Sequence, residues 1–339
     1  MSLALSVATR SGLSVADVAE LASRAESNGL DAFYLAESAS DAVVMAQAAL
    51  SATTTIEVGT AVANARLRHP AAAAMTAAML GDWSGGRFRM GLGVSNARFN
   101  ETWLGMPPVA PVDFMREYVA TMRAVLAPTT SERSAAPATG FALDRPVSRP
   151  VPIALAALQP RMLRLAGEIA DAVVLSLTTP RSIDAVLEQI RIGASRRAPG
   201  LSPVRVECVL PCCFDADTES ARRAGRGVVI GYARHPAATR LFAERGFAAE
   251  LAEVVAALDG GDVEAAHAIV GDDMVDDFVL LGDPEQCAVR IASYLELGVD
   301  RTILFPLPPD GDWASAVTAA IDVAPTLAAH VRARRTLAV

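Results

Sequence analysis

Residues 83–96 read WSGGRFRMGLGVSN, an apolar segment set between two glycine pairs. Four glycines among basic residues suggest a phosphate-cradling loop or a dinucleotide fingerprint, and both readings fail. A P-loop needs a lysine after its glycines, and none of the 339 residues is lysine. A dinucleotide fingerprint needs a third glycine, where Asn96 stands, and a helix that opens at once. Pro107, Pro108 and Pro111 instead delay any helix to about Val112. The stretch therefore reads as punctuation around a strand. Gly85-Gly86 stop a preceding helix, residues 87–92 form the strand, and Gly91 and Gly93 mark its carboxyl end.

The same unit recurs outward from this point. Residues 3–8 read as an apolar strand, and Ser14 caps the helix that follows with Asp17 as its capping-box partner. Val15, Val18, Ala22 and Ala25 keep helical spacing until Asn28-Gly29. Further strands are expected at 30–36, 55–62, 87–92, 151–156, 172–176, 204–211 and 299–305. Between them helices are expected near 41–50, from Pro70 to about 83, at 112–126, from 161, after Pro180 and at 218–230. Two more follow, one from Asp283-Pro284 to Gly298 and one over 313–332. Eight strands alternating with helices predict an α/β fold, a parallel (β/α)8 TIM barrel forming a single domain over 1–339. Two insertions break the rhythm. Residues 129–150, after strand 4, are polar and proline-rich and read as a loop. Residues 235–277, after strand 7, read as helical and acidic. In a barrel both would overhang the face where active sites sit.

Composition removes several classes of function. A net charge of −8 argues against a nucleic-acid surface, and no apolar run approaches the ~20 residues of a membrane span. The opening MSLALSVATR lacks the features of a signal peptide, so a cytoplasmic protein is expected. Cys208, Cys212, Cys213 and Cys287 make no C-x-x-C pair and read as buried thiols. His69, His235, His267 and His330 are scattered, so no metal site is expected. Without lysine there is no Schiff base.

The strand carboxyl ends supply the site of a barrel: residues 8–10, Glu37-Ser38, 61–64, 93–96, 156–159, 176–178 and 305–306. Only Glu37 among them is acidic. That set is poor for hydrolysis but suits a site that holds a flat organic cofactor. Gly91 and Gly93 either let a ring approach closely or allow tight strand packing. Pro160 opens a helix at the end of 156–159, where free N–H groups and Arg161 offer a phosphate seat. Arg161 reads equally as a solvated residue of the first turn. His69 either reaches a ligand from the third loop or caps the helix begun by Pro70. Arg66 and Arg68 either bind an anionic substrate or face water.

Four blocks carry a resemblance: GLDAFYLAES, VGTAVANARLRHPAAAAMTAAMLGDWSGGRFRMGLGVSN, PVPIALAALQPRMLRLAGEIADAVVL and LLGDPEQCAVRIASYLELGVDRTILFP. They resemble the luciferase-like monooxygenase superfamily, specifically its coenzyme F420-dependent oxidoreductase branch. The resemblance implies a flavin-like ring at the strand carboxyl ends and hydride transfer at C5 of the deazaflavin to or from a small organic substrate. It implies a non-prolyl cis peptide at Ala61-Val62, a phosphate loop at Ala157, Leu158 and Gln159, and a cofactor border at Ser95 and Asn96. With the strand-end candidates, the expected cofactor set is Ala61, Val62, Asn64, Gly93, Ser95, Asn96, Ala157, Leu158, Gln159, Arg161 and Ser176. The expected catalytic set is Glu37, Ser38 and His69. Two departures stand out. Several relatives end the second strand in Asp-His, where this chain has Glu37-Ser38. Glycine usually precedes the proline of the phosphate loop, where Gln159 would be strained if positive φ were required. The alternatives are an FMN-dependent monooxygenase of the same superfamily and a non-catalytic flavin-binding relative. The likeness also implies a homodimer.

Overall fold

The computed structural model describes residues 2–127, 141–214 and 217–337. Eight parallel strands form: β1 (Leu3–Ala8), β2 (Ala32–Ala36), β3 (Glu57–Thr60), β4 (Phe88–Gly93), β5 (Ile153–Ala156), β6 (Ala172–Leu175), β7 (Arg205–Cys213) and β8 (Arg301–Pro306). Each pairs with the next, and β8 pairs with both β7 and β1, which closes the sheet. Ala63–Asn64 and Leu280–Leu281 add short parallel pairings beside the ends of β4 and β7. The expected (β/α)8 barrel is the fold, and each expected strand end lies within two residues of the observed one.

The helices begin where the sequence supplies caps. For α1 (Val15–Ser27), Ser14 and Asp17 accept from each other's backbone N–H, at 3.2 and 2.7 Å. Asp41 accepts from Val43 and Val44 to start α2 (Ala42–Ser51). Proline occupies the first position of α3 (Pro70–Trp83), α4 (Pro111–Leu126) and α5 (Pro160–Ile169), where its missing N–H costs nothing. Next come α6 (Ile183–Ala194) and α7 (Thr218–Tyr232). The insertion after β7 is four helices: α8 (Pro236–Glu244), α9 (Ala248–Asp259), α10 (Val263–Ile269) and α11 (Asp272–Phe278). These bury a core of their own, in which Phe242 and Phe278 meet edge to face at 4.6 Å. After them run α12 (Pro284–Glu296) and α13 (Trp313–Leu337).

Helix α13 is long and apolar enough to cross a membrane by length and mean hydropathy. Val317, Ile321, Leu327 and Val331 on it are nevertheless buried, and it packs on β1 and β8 as the eighth helix of the barrel. Of the expected loop at 129–150, residues 128–140 lie outside the described residues. The rest, 141–150, carries neither helix nor strand.

Strand side chains alternate between two environments, as the pleat requires. Leu3, Leu5 and Val7 of β1 join the core under the helices, whereas Ala4 joins a cluster inside the barrel with Ala32, Tyr34, Ala154 and Ala172. At the amino-terminal end the interior is charged. Arg89 and Glu207, both wholly buried, pair at 2.5 Å, and Arg301 pairs with Glu57 at 2.7 Å. The Arg89 guanidinium lies 4.0 Å from the centroid of the Tyr34 ring, a cation–π distance. Burial alone would raise the pKa of Glu57, but Arg89 and Arg301 outweigh it and bring the carboxyl down to about 2. This layer plugs the barrel from below.

Candidate functional site

The carboxyl ends of the strands open on a cavity of about 470 Å³, a size suited to a small organic ligand. The sequence makes that space directly. Barrel interiors are usually filled by branched side chains, but here the upper interior positions are Ala8, Ala36, Ala61 and Ala156. Val174, Val209, Pro211 and Phe305 of β6 to β8 form the opposite wall, and one face of α7 covers them. The lining is mostly apolar, with polar side chains at Glu37, Ser38, Ser176 and Tyr232.

Glu37 and Ser38 therefore sit where the sequence placed them, but Glu37 is heavily engaged. Its carboxylate is bidentate to Arg68 at 2.5 and 2.8 Å. It also accepts from the backbone N–H of Asn64 at 2.7 Å and of Ala42 at 3.2 Å. The Glu37 side chain is 3% exposed. The hydrogen bond to Glu37 raises the pKa of Arg68, and the contact ties the loop after β3 to the end of β2. Ser38 is held by Thr9, whose hydroxyl accepts from the Ser38 N–H at 2.8 Å. The third expected catalytic residue, His69, does not line the cavity. It is the N-cap of α3, and its Nδ1 accepts from the Ala71 N–H at 3.2 Å. Of its two readings, the capping one is what the geometry provides.

The cofactor candidates divide between two places. Ala61 and Val62 line the cavity, and the peptide between them is cis. Ser176 lines it too, followed by Leu177, a non-glycine residue at φ 50. Asn64 is buried, its amide donating to Asn100 at 2.8 Å, and so it braces the loop from within. Ser95, at φ 57, and Asn96 are exposed, and the Asn96 side chain accepts from the Phe99 N–H. Ala157 is buried in the core. Leu158 and Gln159 line a separate groove of about 210 Å³ between the start of α5, α6 and α8. The first helical bond of α5 runs from Leu163 to Gln159, which leaves the N–H groups of Arg161 and Met162 ahead of the ladder. The Arg161 side chain is exposed beside them.

Two expectations need correction. Gln159 has φ −100, so glycine is not required before Pro160 and no strain arises. Gly91 and Gly93 do not open space for a ring. A Cβ at Gly91 would lie 1.9 Å from the Thr60 carbonyl oxygen, and one at Gly93 would lie 2.8 Å from Val62. Close strand packing is the reason at Gly91, and at Gly93 the Val62 and Ala156 side chains of the cavity wall take the space.

Sequence reasoning passed over the end of β7, which supplies Val209 and Pro211, and the α7 face, where a helix contributes at a place only strand ends were sought. The signal was present as Gly227 and Gly231, one turn apart in an otherwise helical pattern. At the rim, sequence reasoning included Arg10 but missed Arg98 and Trp103; the two arginines approach the exposed Trp103 ring at 5.9 and 5.4 Å. The cysteines offer no nucleophile. Burial pushes the thiols of Cys208 and Cys287 up to about 12 and about 11, which keeps them protonated at neutral pH.

Comparison with known proteins agrees with this architecture. The family model described as luciferase-like monooxygenase matches residues 2–301. The chain is 28% identical over 309 residues to 5,10-methylenetetrahydromethanopterin reductase of Methanolobus tindarius, covering 88% of this chain and 93% of that protein. Its fold matches the coenzyme F420-dependent tetrahydromethanopterin reductase of Methanopyrus kandleri with a TM-score of 0.78 and 22% identity, over 94% and 98% of the two chains. An F420-dependent secondary alcohol dehydrogenase, solved with an F420–acetone adduct, matches with a TM-score of 0.73 and 19% identity, over 97% and 98%.

Proposed function

The chain belongs to the luciferase-like monooxygenase family, and we propose that within it the protein is an F420-dependent oxidoreductase acting on a small organic substrate. The observation that carries this reading is the alanine-walled, mostly apolar cavity at the strand carboxyl ends. It has room for a flat ring and lacks a free nucleophile or metal-ligand set of its own among the described residues. The relatives named for F420 or for reduction of a pterin carrier support the choice of cofactor.

A reduced deazaflavin bound there would supply a hydride from its C5. The rest falls to the chain. Ala61 and Val62 would back the ring, Ala8, Ala36 and Ala156 would leave it space, and Ser38 and Ser176 would offer hydroxyls at its edge. The N–H groups of Arg161 and Met162, with the Arg161 guanidinium, would hold a phosphate. Glu37, bonded on both oxygens, serves as a positioning residue for Arg68 and the loop after β3 rather than as an acid or base. Enclosure by α7 would keep water from the reacting atoms.

Reduced FMN would fit a cavity of this kind equally well, and the description of the family favours that second reading. Titrating the purified protein with F420 beside FMN decides between them. Saturable F420 binding without FMN binding supports the proposal. Tight FMN binding moves the protein to the monooxygenases, and binding of neither makes it a non-catalytic relative. We also propose a homodimer. Met75, Met79 and Trp83 recur every four residues along α3 and are 46%, 69% and 57% exposed, an apolar stripe that a second copy would cover. Sedimentation of wild type beside Met79→Glu tests it, and a wild-type monomer would refute it.

A further inference from the structure

Helix α7 carries three glycines within its last eight residues, and they do different work. A Cβ at Gly225 would lie 2.5 Å from Val275 of α11, so tight helix packing accounts for that position. Nothing lies within 4 Å of the place a Cβ would take at Gly227 or Gly231, and neither has positive φ. Both line the cavity. Glycine inside a helix is less stable than alanine, so neither packing nor backbone geometry explains these two. What they provide is room inside the site.

Tyr232 shares their face, together with Val228, and it too lines the cavity. Its ring stands edge-on to His235 at 6.3 Å. Among the described residues its hydroxyl has no hydrogen-bond partner, although Glu37, Ser38 and Ser176 line the same cavity. Burial raises the pKa of the phenol, so the hydroxyl keeps its proton and remains a donor at neutral pH. Tyr232 is half-buried in the cavity wall, so its hydroxyl is available to donate to a molecule held there.

We propose that this face of α7 is the substrate-recognising wall, with the Tyr232 hydroxyl donating to the reacting carbonyl or imine of a compact, otherwise apolar substrate seated against Gly227 and Gly231. The inference rests on the oxidoreductase reading above. In the reduction, a bound reduced deazaflavin would supply a hydride to the substrate carbon of the C=O or C=N bond. The π electron pair moves to the oxygen or nitrogen, which takes the proton from Tyr232 Oη. The phenolate regains a proton from solvent, and the one proton that the cofactor releases on oxidation replaces it, so one hydride and one proton pass to the substrate in all.

Ligand-observed fluorine NMR on the F420-loaded protein tests this with 4-fluoroacetophenone and 4-fluoroethylbenzene, which share a body and differ in the carbonyl. Wild type should hold the ketone at least tenfold tighter, and Tyr232→Phe should erase that preference. Gly227→Leu should weaken both probes at least tenfold while leaving the affinity for F420 unchanged. Gly227→Ala guards against a folding defect: its melting temperature should rise while its affinity for the ketone falls. A carbonyl preference that survives Tyr232→Phe, or probe affinities untouched in both Gly227 variants, overturns the proposal. Failure to take up F420 would instead sink the cofactor reading, and the same probes on the cofactor-free chain would still decide the role of Tyr232.

Discussion

Replacing Glu37 by glutamine separates a scaffold from a proton carrier. The carboxylate accepts four hydrogen bonds, two from Arg68 and two from backbone N–H groups. Glutamine can keep an acceptor on one side, but its amide group would face the guanidinium donor to donor. The loss is chiefly the two charge-assisted bonds. At about 1.5 kcal/mol each they total about 3 kcal/mol, the low end being appropriate because Arg68 is 18% exposed. An unfolding entropy of about 2.1 cal/mol/K per residue gives about 0.7 kcal/mol/K for a chain of 339 residues. The melting temperature should therefore fall by about 4 °C. Calorimetry reads this directly, and F420 titration of the same sample should show weakened binding, since the loop after β3 loses its tether. A Glu37→Gln protein that melts with wild type and binds F420 normally, yet has lost turnover, would refute the reasoning and make Glu37 a proton carrier.

Three further outcomes are expected. Glu207→Gln leaves the wholly buried Arg89 without its 2.5 Å partner and should cost about 3–5 kcal/mol; an unchanged thermal melt would contradict the buried pair. Glu57 has its pKa depressed from 4.5 to about 2, so its contribution of about 3 kcal/mol is present above pH ~4.5 and is lost as pH falls toward 2. Denaturant melts between those values should show this acid limb in wild type and a shallower one in Glu57→Gln. Arg161→Ala should weaken F420 binding about fivefold, the weight of about 1 kcal/mol for an exposed ionic contact, and an unchanged titration would return Arg161 to the solvent.

The alternation of strands and helices was legible because local chemistry spells it out. Ser14 with Asp17, Asp41, Pro70 and Pro160 each announce a helix start, and every one of them occupies that place. The cis peptide at Ala61-Val62 stands where the resemblance put it. What stayed hidden depends on contacts across the sequence. Arg89 and Glu207 carry no sign of their pairing in the sequence, and two strands 118 residues apart bring them together inside the barrel. Gly91 allowed two readings, an opening toward a ligand or tight strand packing, and the position of Thr60 decides for the close backbone approach. Residues 235–277 read as helical, yet four short helices with their own core could not be counted from periodicity alone. Helix α7 was expected as an ordinary barrel helix. Its part in the cavity appears only once it is seen leaning over β7 and β8.

The charged plug of Arg89, Glu207, Glu57 and Arg301 has a kinetic corollary. Because it closes the amino-terminal end among the described residues, ligands reach the cavity from the strand carboxyl ends. If a cofactor and a substrate share that cavity, as proposed above, whichever lies deeper must arrive first and depart last, and their binding should follow a compulsory order.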